Sequence, residues 1–182
     1  MRRRYAYFEF EASRMVGMPD AAALRPEQLA AYFSLMEVGN LLQHAVEQQL
    51  REEGGLSYIQ FQILAVLGEA AEGRRRMTDV ADRLVHSRSG LTYQVGQLAD
   101  AGLVVKDSSP EDERSVVISL TPKGRELLDR VMAGHVQVVR QLVFTPLDDA
   151  DVGALGDVLG RIREHMRTVP PRSAAPRRRR GQ

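Results

Sequence analysis

The chain contains no cysteine and no tryptophan. Without cysteine, the sequence excludes disulfides, thiolate catalysis, cysteine-ligated zinc and redox sensing through a thiol. Long apolar runs are also missing, because Arg, Asp or Glu interrupts each apolar segment before it reaches the length needed to cross a bilayer. There is no signal-peptide pattern either, so the sequence predicts a cytoplasmic protein without a membrane span.

Charge is distributed unevenly along the 182 residues, although the net charge is only +1. Arg2–Arg4 contribute three positive charges, and Arg167, Arg172 and Arg177–Arg180 contribute six. Residues 5–166 therefore carry 16 basic and 24 acidic side chains, a net charge of −8. The C-terminal segment, rich in Pro and Arg, is either a disordered solubilising tail or an arm that contacts DNA phosphates.

The apolar pattern predicts a mostly α protein with a small β-wing, in the order helix, helix, helix, helix, hairpin, helix, helix. Hydrophobic residues make up 43% of the chain, enough for a core. We expect a partly flexible N-terminal extension (1–24), a dimerisation helix (25–56), a winged helix-turn-helix domain that binds DNA (57–121), C-terminal dimerisation helices (122–168) and a basic disordered tail (169–182).

Capping residues mark the expected helix ends. Pro26 suits the first turn of the long first helix, and Gly54 suits the left-handed position after its end. Ser57 and Gln60 have the spacing of a capping box. Apolar stripes run along the first helix (Leu35, Val38, Leu42, Ala45) and along a helix expected from Pro122 to about Phe144 (Leu128, Val131, His135, Val138, Leu142).

Two short helices joined by a tight turn precede a hairpin. After a basic link, "EGRRRM", Thr78 begins the first helix; Ser87 begins the second, which ends at Gly102. The segment "LVVKDSSPEDERSVVISL" then alternates as strand, polar turn and strand. This order is that of a winged helix-turn-helix, in which the second helix enters the major groove.

The second short helix has a polar face that offers candidate DNA contacts. Leu91, Val95 and Leu98 recur at helical spacing and predict its core face. Arg88 is suited to a guanine edge or a phosphate. Local capping and surface filling are the alternative roles for Ser87 and Thr92. The candidate contacts on this helix are Ser87, Arg88, Ser89, Thr92, Tyr93 and Gln97.

Two glycines, Gly90 and Gly96, lie inside the same helix, where each costs about 1 kcal/mol relative to alanine. Such a cost indicates close approach of another part of the structure. Either a second element of the chain or the DNA backbone fits this requirement.

The chain resembles the multiple-antibiotic-resistance regulators, the MarR family. The resemblance rests on "SRSGLTYQVGQLADAGLV" and on the wing pattern Asp-x-Arg, a strand and Leu-Thr-Pro-x-Gly, which extends here from Asp112 to Gly124. It covers about residues 25–166. The resemblance implies an obligate homodimer whose first and last helices interleave, with one winged domain on each arm, bound to palindromic operators in double-stranded DNA. It implies a DNA-binding transcriptional regulator, a repressor released by a small-molecule ligand.

The resemblance also assigns roles in the wing. Arg114 corresponds to an arginine that enters the minor groove, and Asp112 to an acid that orients it. Such a carboxylate restricts the rotamers of an arginine at a loop tip. Two positions depart from the family pattern: Glu113 replaces a residue that is often basic, and Lys106 stands where arginine is usual. Residues 74–114 hold seven basic and seven acidic side chains, so this segment has no net charge to attract DNA.

No pattern of catalytic residues is present, and the sequence predicts neither an enzyme nor a cofactor. The four histidines are scattered, and neither His-Glu-x-x-His nor Gly-x-Ser-x-Gly occurs. We expect no metal site. A histidine site that joins His44 and His135 across helices is the alternative.

The effector is not identifiable from the sequence. Members of the family often respond to small aromatic or anionic molecules, and the lack of tryptophan removes a pocket residue typical of the urate-responsive branch. Core packing is the alternative role for the aromatic candidates. The candidate pocket residues are Tyr32, Phe33, His44, Phe61 and Arg140.

A different class of function also fits the fold, that of a winged-helix module that binds another protein and not DNA.

Overall fold

The computed structural model describes residues 24–70, 72–84, 87–109 and 112–168, without the side chains of Arg88, 108–109 and 112–115. The predicted fold class, mostly α with a small β-wing, is confirmed. The elements in chain order are α1 (Pro26–Gly54), α2 (Tyr58–Gly68), β1 (Arg74–Arg76), α3 (Met77–Leu84), α4 (Arg88–Asp100), β2 (Val104–Ser109), β3 (Asp112–Leu120), α5 (Pro122–Val139), a π-helical turn (Arg140–Phe144) and α6 (Asp149–Thr168).

The chain divides into two compact units, of which the first ends at Val138 and the second begins at Val139. The first unit contains the helix-turn-helix, the wing and a single apolar core. Its largest wholly buried side chains come from four elements: Leu50 of α1, Ile63, Leu64 and Leu67 of α2, Leu91 and Leu98 of α4, and Ile118 of β3. Full burial of such a side chain stabilises a fold by about 1.5–3 kcal/mol, so this cluster holds the elements of the first unit together. The five-segment division expected from the sequence is finer and stays a prediction.

The prediction for the end of α1 is wrong by one residue. Gly54 remains helical, and Gly55 adopts the left-handed conformation with φ of 63°. A Cβ on Gly54 would lie 2.7 Å from a methyl carbon of Val131 on α5. Glycine at position 54 therefore allows α5 to pack closely, and Gly55 makes the turn.

The stripe expected on α1 is largely not part of the core. Leu35 and Val38 are 42% and 55% exposed, whereas Leu42 packs against the core. Burial concentrates at the C-terminal end of α1, at Val46 and Leu50. The stripe on α5 behaves similarly: Leu128 and Val131 are buried, Val138 packs against the core, and Leu142, beyond α5, is exposed.

The basic link expected at residues 74–76 is a strand. β1 pairs antiparallel with β3, with Arg75 opposite Ile118, and β3 also pairs with β2, so the sheet order is β1-β3-β2. The segment consists of three arginines and contains none of the β-branched or aromatic residues that indicate a strand. They form one because the free edge of β3 offers backbone partners, and because Arg75 Nε donates to the Val66 carbonyl at 3.0 Å.

The second unit consists of the π-helical turn and α6. The Asp148 carboxylate caps α6 by accepting from the Asp151 N–H at 2.9 Å. No residue of α6 is buried within the described part of the chain. Its exposed large apolar residues recur at helical spacing: Val152, Leu155, Val158, Leu159, Ile162 and Met166.

Candidate nucleic-acid interface

Helix α4 begins at the position that the sequence predicts. Ser87 is its N-cap, with extended backbone, and its Oγ accepts from the Gly90 N–H at 3.3 Å. This bond gives Ser87 a capping role, the alternative to a DNA contact that the sequence left open. Ser89 is exposed and is the second residue of the helix, so it lies in the first turn, at the positive end of the helix.

The two faces of α4 are sharply divided. Leu91, Val95 and Leu98 are at most 1% exposed, which confirms the predicted core face. Ser89, Thr92, Tyr93 and Gln97 are exposed, and the Tyr93 side chain is the most exposed large apolar residue of the helix, at 64%. A helix held by three buried side chains presents its polar face on a rigid support, which is the requirement for reading base edges.

A series of hydrogen bonds connects α2 to this polar face. The Ser57 N–H donates to Gln60 Oε1 at 3.0 Å, and the Gln60 N–H donates to Ser57 Oγ at 3.3 Å, so the predicted capping box forms. Gln60 Nε2 then donates to Gln97 Oε1 at 3.1 Å. Gln97 Nε2 in turn donates to the Tyr93 hydroxyl oxygen at 3.0 Å. The side chains of Tyr93 and Gln97 are thus held by a residue of a different helix.

The Leu-Thr-Pro-Lys-Gly segment fastens the other end of α4. Thr121 N donates to the Leu103 carbonyl at 3.1 Å, and Thr121 Oγ1 lies 2.8 Å from the Gly102 carbonyl and 3.0 Å from that of Leu103. Lys123 Nζ donates to the Ala101 carbonyl at 2.8 Å. These contacts satisfy carbonyls just after the last turn of α4, where a positive charge is also favoured by the helix dipole. The motif therefore links the end of α4 to the start of α5.

The wing is the β2–β3 hairpin. Lys106 is exposed on β2 opposite Ile118, and Asp112 begins β3 opposite Ser109, next to a register irregularity between Ser108 and Ser109. Arg114 lies on β3, two residues after Asp112. The roles predicted for the side chains of Arg88, Asp112 and Arg114 concern atoms outside the described residues and stay predictions.

Several arginines near the winged domain have structural partners. Arg75 and Arg125 donate to the carbonyls of Val66 and Gly68, at 3.0 and 3.1 Å. Arg83 forms an exposed ion pair with Glu69 at 3.3 Å. Exposed pairs of this kind contribute at most about 1 kcal/mol. The carboxylate of Glu69 balances the charge of Arg83, whereas Arg75 and Arg125 keep their positive charge because a carbonyl is neutral.

The structure places the five candidate ligand residues in different surroundings. Tyr32 and Phe33 form a ring pair with centroids 5.4 Å apart on α1, and Arg140 is exposed in the second unit. His44 lines a shallow depression of about 320 Å³ whose other lining residues also belong to α1. Phe61 is buried in the core.

His135 of α5 packs against Phe61, with ring centroids 4.7 Å apart. Burial lowers the pKa of its imidazole below the usual value, because desolvation disfavours the charged ring. Its Nδ1 is buried without a hydrogen-bond partner among the described residues. No group of three or more potential metal ligands occurs in the described ranges, and the absence of a metal site stays a prediction.

Comparison with known proteins identifies the class of this interface. A model of the MarR family matches residues 54–115, from the end of α1 into β3. The HTH-type transcriptional repressor YetL of Bacillus subtilis (strain 168) is 28% identical over 137 residues, which are 74% of this chain and 81% of the repressor.

A solved structure is more similar still. Sco3205, a MarR family transcriptional regulator from Streptomyces coelicolor crystallised in complex with DNA, is 31% identical with a TM-score of 0.76, over 84% of this chain and 97% of that protein. The chain belongs to the MarR family. CouR from Rhodococcus jostii RHA1, crystallised with p-coumaroyl-CoA, is 30% identical with a TM-score of 0.65, over 72% of this chain and 90% of CouR.

Membership of the MarR family confirms the function expected from the sequence, that of a DNA-binding transcriptional regulator. The family is one of regulators and not of enzymes. Among the helices of the described part of the chain, none is long and apolar enough to span a membrane.

Sequence reasoning missed two contributors to this MarR interface. Gln60 was expected only as a capping residue, although its amide also reaches Gln97. Lys123 was a motif position without a role, although it contacts the end of α4. A capping box and a family motif were the available signals. Neither indicates a contact with a residue 37 positions away, as Gln60 makes.

Proposed function

We propose that this protein is a repressor that binds a palindromic operator as a homodimer, with α4 in the major groove and the β2–β3 wing beside it. The observation that carries the proposal is the polar face of α4, on which Ser89, Thr92, Tyr93 and Gln97 are exposed while the opposite face is fully buried. In a dimer, two such helices contact half-sites about 10 bp apart, one turn of DNA.

A homodimer is supported by apolar surface that the single chain leaves exposed. On α1 this surface comprises Tyr32, Leu35, Met36, Val38 and Leu41, and on α6 it comprises Val152, Leu155, Val158, Leu159, Ile162 and Met166. Large apolar residues exposed in series along a helix indicate an interaction surface, because monomeric proteins rarely expose large apolar patches. A two-fold interface with a second copy buries the same residues in both chains. Light scattering should give the mass of a dimer, and a monomer mass at micromolar concentration would contradict the proposal.

Base reading is assigned to α4, and minor-groove contact to the wing. We propose that Arg88, Ser89, Thr92, Tyr93 and Gln97 contact DNA from α4. From the wing we propose phosphate contact by Lys106 and groove contact by Arg114, oriented by Asp112. We propose that Ser87 caps α4 and also lies next to the DNA. A repressor of this kind works where the chromosomal DNA is, and on this basis we propose a cytoplasmic location.

We propose that a small aromatic or anionic molecule releases the repressor from DNA. Support comes from CouR, a relative crystallised with p-coumaroyl-CoA, an aromatic thioester with anionic phosphates. Tyr32, Phe33, His44 and Arg140 remain candidates for contact with such a molecule, because all four are at least partly exposed. Phe61 is the weakest candidate, since its ring is buried against the core. Titration of operator complexes with aromatic acids tests this part of the proposal.

The decisive experiment measures binding to the protein's own upstream DNA against random duplex of equal length. We expect a symmetric footprint and specific binding. Arg88→Ala should weaken operator binding by about 1–3 kcal/mol if the guanidinium reads a base, and should relax the preference at one position per half-site. An equal loss on operator and random DNA would reassign Arg88 to phosphate contact.

The alternative function, a winged-helix module that binds another protein, makes the opposite prediction. It requires that wild-type protein bind operator and random duplex equally weakly. Arg130→Ala, at an exposed position of α5 to which no role is assigned, is the control for the loss of one positive charge in Arg88→Ala, and it should leave operator binding unchanged.

A further inference from the structure

Gln60 lies outside the helix that contacts DNA, yet its amide is bonded to a residue of that helix. We propose that Gln60 is a positioning residue that turns the Tyr93 hydroxyl outward as a hydrogen-bond donor, so that Tyr93 recognises an acceptor atom on DNA. The inference rests on the proposed function, in which α4 enters the major groove.

The orientation of each group in the series follows from one backbone N–H. The Ser57 N–H can only donate, so the Gln60 atom 3.0 Å away must be the carbonyl oxygen. The other end of that amide is then the NH₂ group, which lies 3.1 Å from Gln97. Because an NH₂ group only donates, Gln97 must present its own carbonyl oxygen to Gln60.

The same reasoning determines the state of Tyr93. With the Gln97 oxygen turned to Gln60, the Gln97 NH₂ group faces the Tyr93 hydroxyl oxygen at 3.0 Å. That oxygen accepts the bond, and the single hydroxyl hydrogen remains for a partner elsewhere. The Tyr93 side chain lies on the exposed face of α4, which directs this donor towards solvent in the free protein.

A donor at this position matches atoms that DNA exposes. In the major groove, guanine offers O6 and N7, adenine offers N7 and thymine offers O4, and phosphate oxygens accept as well. The amino groups of adenine and cytosine are donors and do not match an outward hydroxyl hydrogen. Holding Tyr93 and Gln97 before binding also reduces the entropy lost when they contact DNA.

Gln60→Glu, with an almost isosteric side chain, exchanges donor and acceptor in the two hydrogen bonds that lead from residue 60 through Gln97 to Tyr93. One carboxylate oxygen still accepts from the Ser57 N–H, and glutamate is a normal residue at this place in a capping box, so α2 should form unchanged. The other oxygen only accepts, which forces Gln97 to turn its NH₂ group towards residue 60. The Gln97 carbonyl then faces Tyr93 and takes the hydroxyl hydrogen, so the donor to DNA is lost.

The experiment measures operator affinity for Gln60→Glu, Tyr93→Phe and the double variant. Each single change should weaken operator binding about 5- to 10-fold, the size of one hydrogen bond. The double variant should bind no more weakly than Tyr93→Phe, because both changes remove the same donor. Thermal unfolding should stay at the wild-type temperature for Gln60→Glu.

Gln62→Glu is the matched control, since it adds the same charge to the same helix at a half-exposed position. It should bind operator within about twofold of wild type, because residue 62 takes no part in the series of hydrogen bonds that orients Tyr93. Equal losses for Gln60→Glu and Gln62→Glu would reduce the effect to charge and overturn the inference. Independent, multiplying losses in the double variant would overturn it too. Wild-type protein that fails to distinguish operator from random DNA would instead refute the proposed function, on which the inference rests.

Discussion

Replacing Gly124 with alanine should lower the free energy of unfolding by about 2 kcal/mol. Gly124 lies in the first turn of α5, and its N–H donates to Thr121 Oγ1 at 3.0 Å. A Cβ there would overlap the Leu103 carbonyl oxygen and lie 2.9 Å from a methyl carbon of Leu120. The glycine of the Leu-Thr-Pro-Lys-Gly motif is therefore required by close approach of backbone to backbone, while its own φ is unremarkable.

The magnitude follows from what must move. The Leu103 carbonyl cannot retreat without lengthening its bond from the Thr121 N–H, now 3.1 Å, and weakening its contact with Thr121 Oγ1, now 3.0 Å. Overpacking of a fixed site costs about 1–3 kcal/mol, and one weakened hydrogen bond costs about 1 kcal/mol. The better helix propensity of alanine returns up to about 1 kcal/mol.

Urea unfolding followed by circular dichroism, at one protein concentration for all variants, measures this difference. Gly96→Ala is the control, because a Cβ at Gly96 would meet no neighbouring element within 4 Å among the residues that the structure describes. That variant should gain up to about 1 kcal/mol from helix propensity alone. If Gly124→Ala proved as stable as the wild type, the contact with the Leu103 carbonyl would not be what requires glycine.

Two further predictions concern DNA binding. Gly96→Ala should bind operator at least about tenfold more weakly despite its stability. Its methyl group enters a space that no neighbouring atom of the described residues occupies, on the face of α4 that we propose to contact DNA. Unchanged affinity would leave the glycine without an explanation in the DNA complex. Deletion of residues 170–182 should lower the slope of log affinity against log salt by several units per dimer, at about 0.9 per phosphate contact, and weaken operator and random DNA alike. Superimposable salt titrations would identify the segment as a solubilising tail.

The helix-turn-helix and its caps were predictable because their signals are local. Ser87 accepts from an N–H three residues on, and Ser57 and Gln60 bond each other across the same spacing. The core face of α4 was equally accessible, because Leu91, Val95 and Leu98 share one side of any helix that contains them. A cap and a helical face need no knowledge of the rest of the fold.

The apolar stripe of α1 shows where local signals stop. Its periodicity predicts a helix correctly, but not which part of the helix the first unit covers. Val46 and Leu50 are buried near the C-terminal end, while Leu35 and Val38 stay exposed in the single chain. The hydrophobic pattern indicates that one face of a helix is buried, but not by what. We propose that a second copy of the chain covers the part of the α1 stripe that the first unit leaves exposed.

The sequence by itself determined the class of the fold, the starts of most helices and the polar face of α4, because each depends on residues within about one helical turn. Tertiary structure alone decided that β1 is a strand, since its pairing requires the edge of β3. It also decided the direction of the Tyr93 hydroxyl, which depends on Gln60 from another helix. Contacts between residues far apart in the chain are absent from any short sequence pattern, and here they position the side chains that we propose to read DNA.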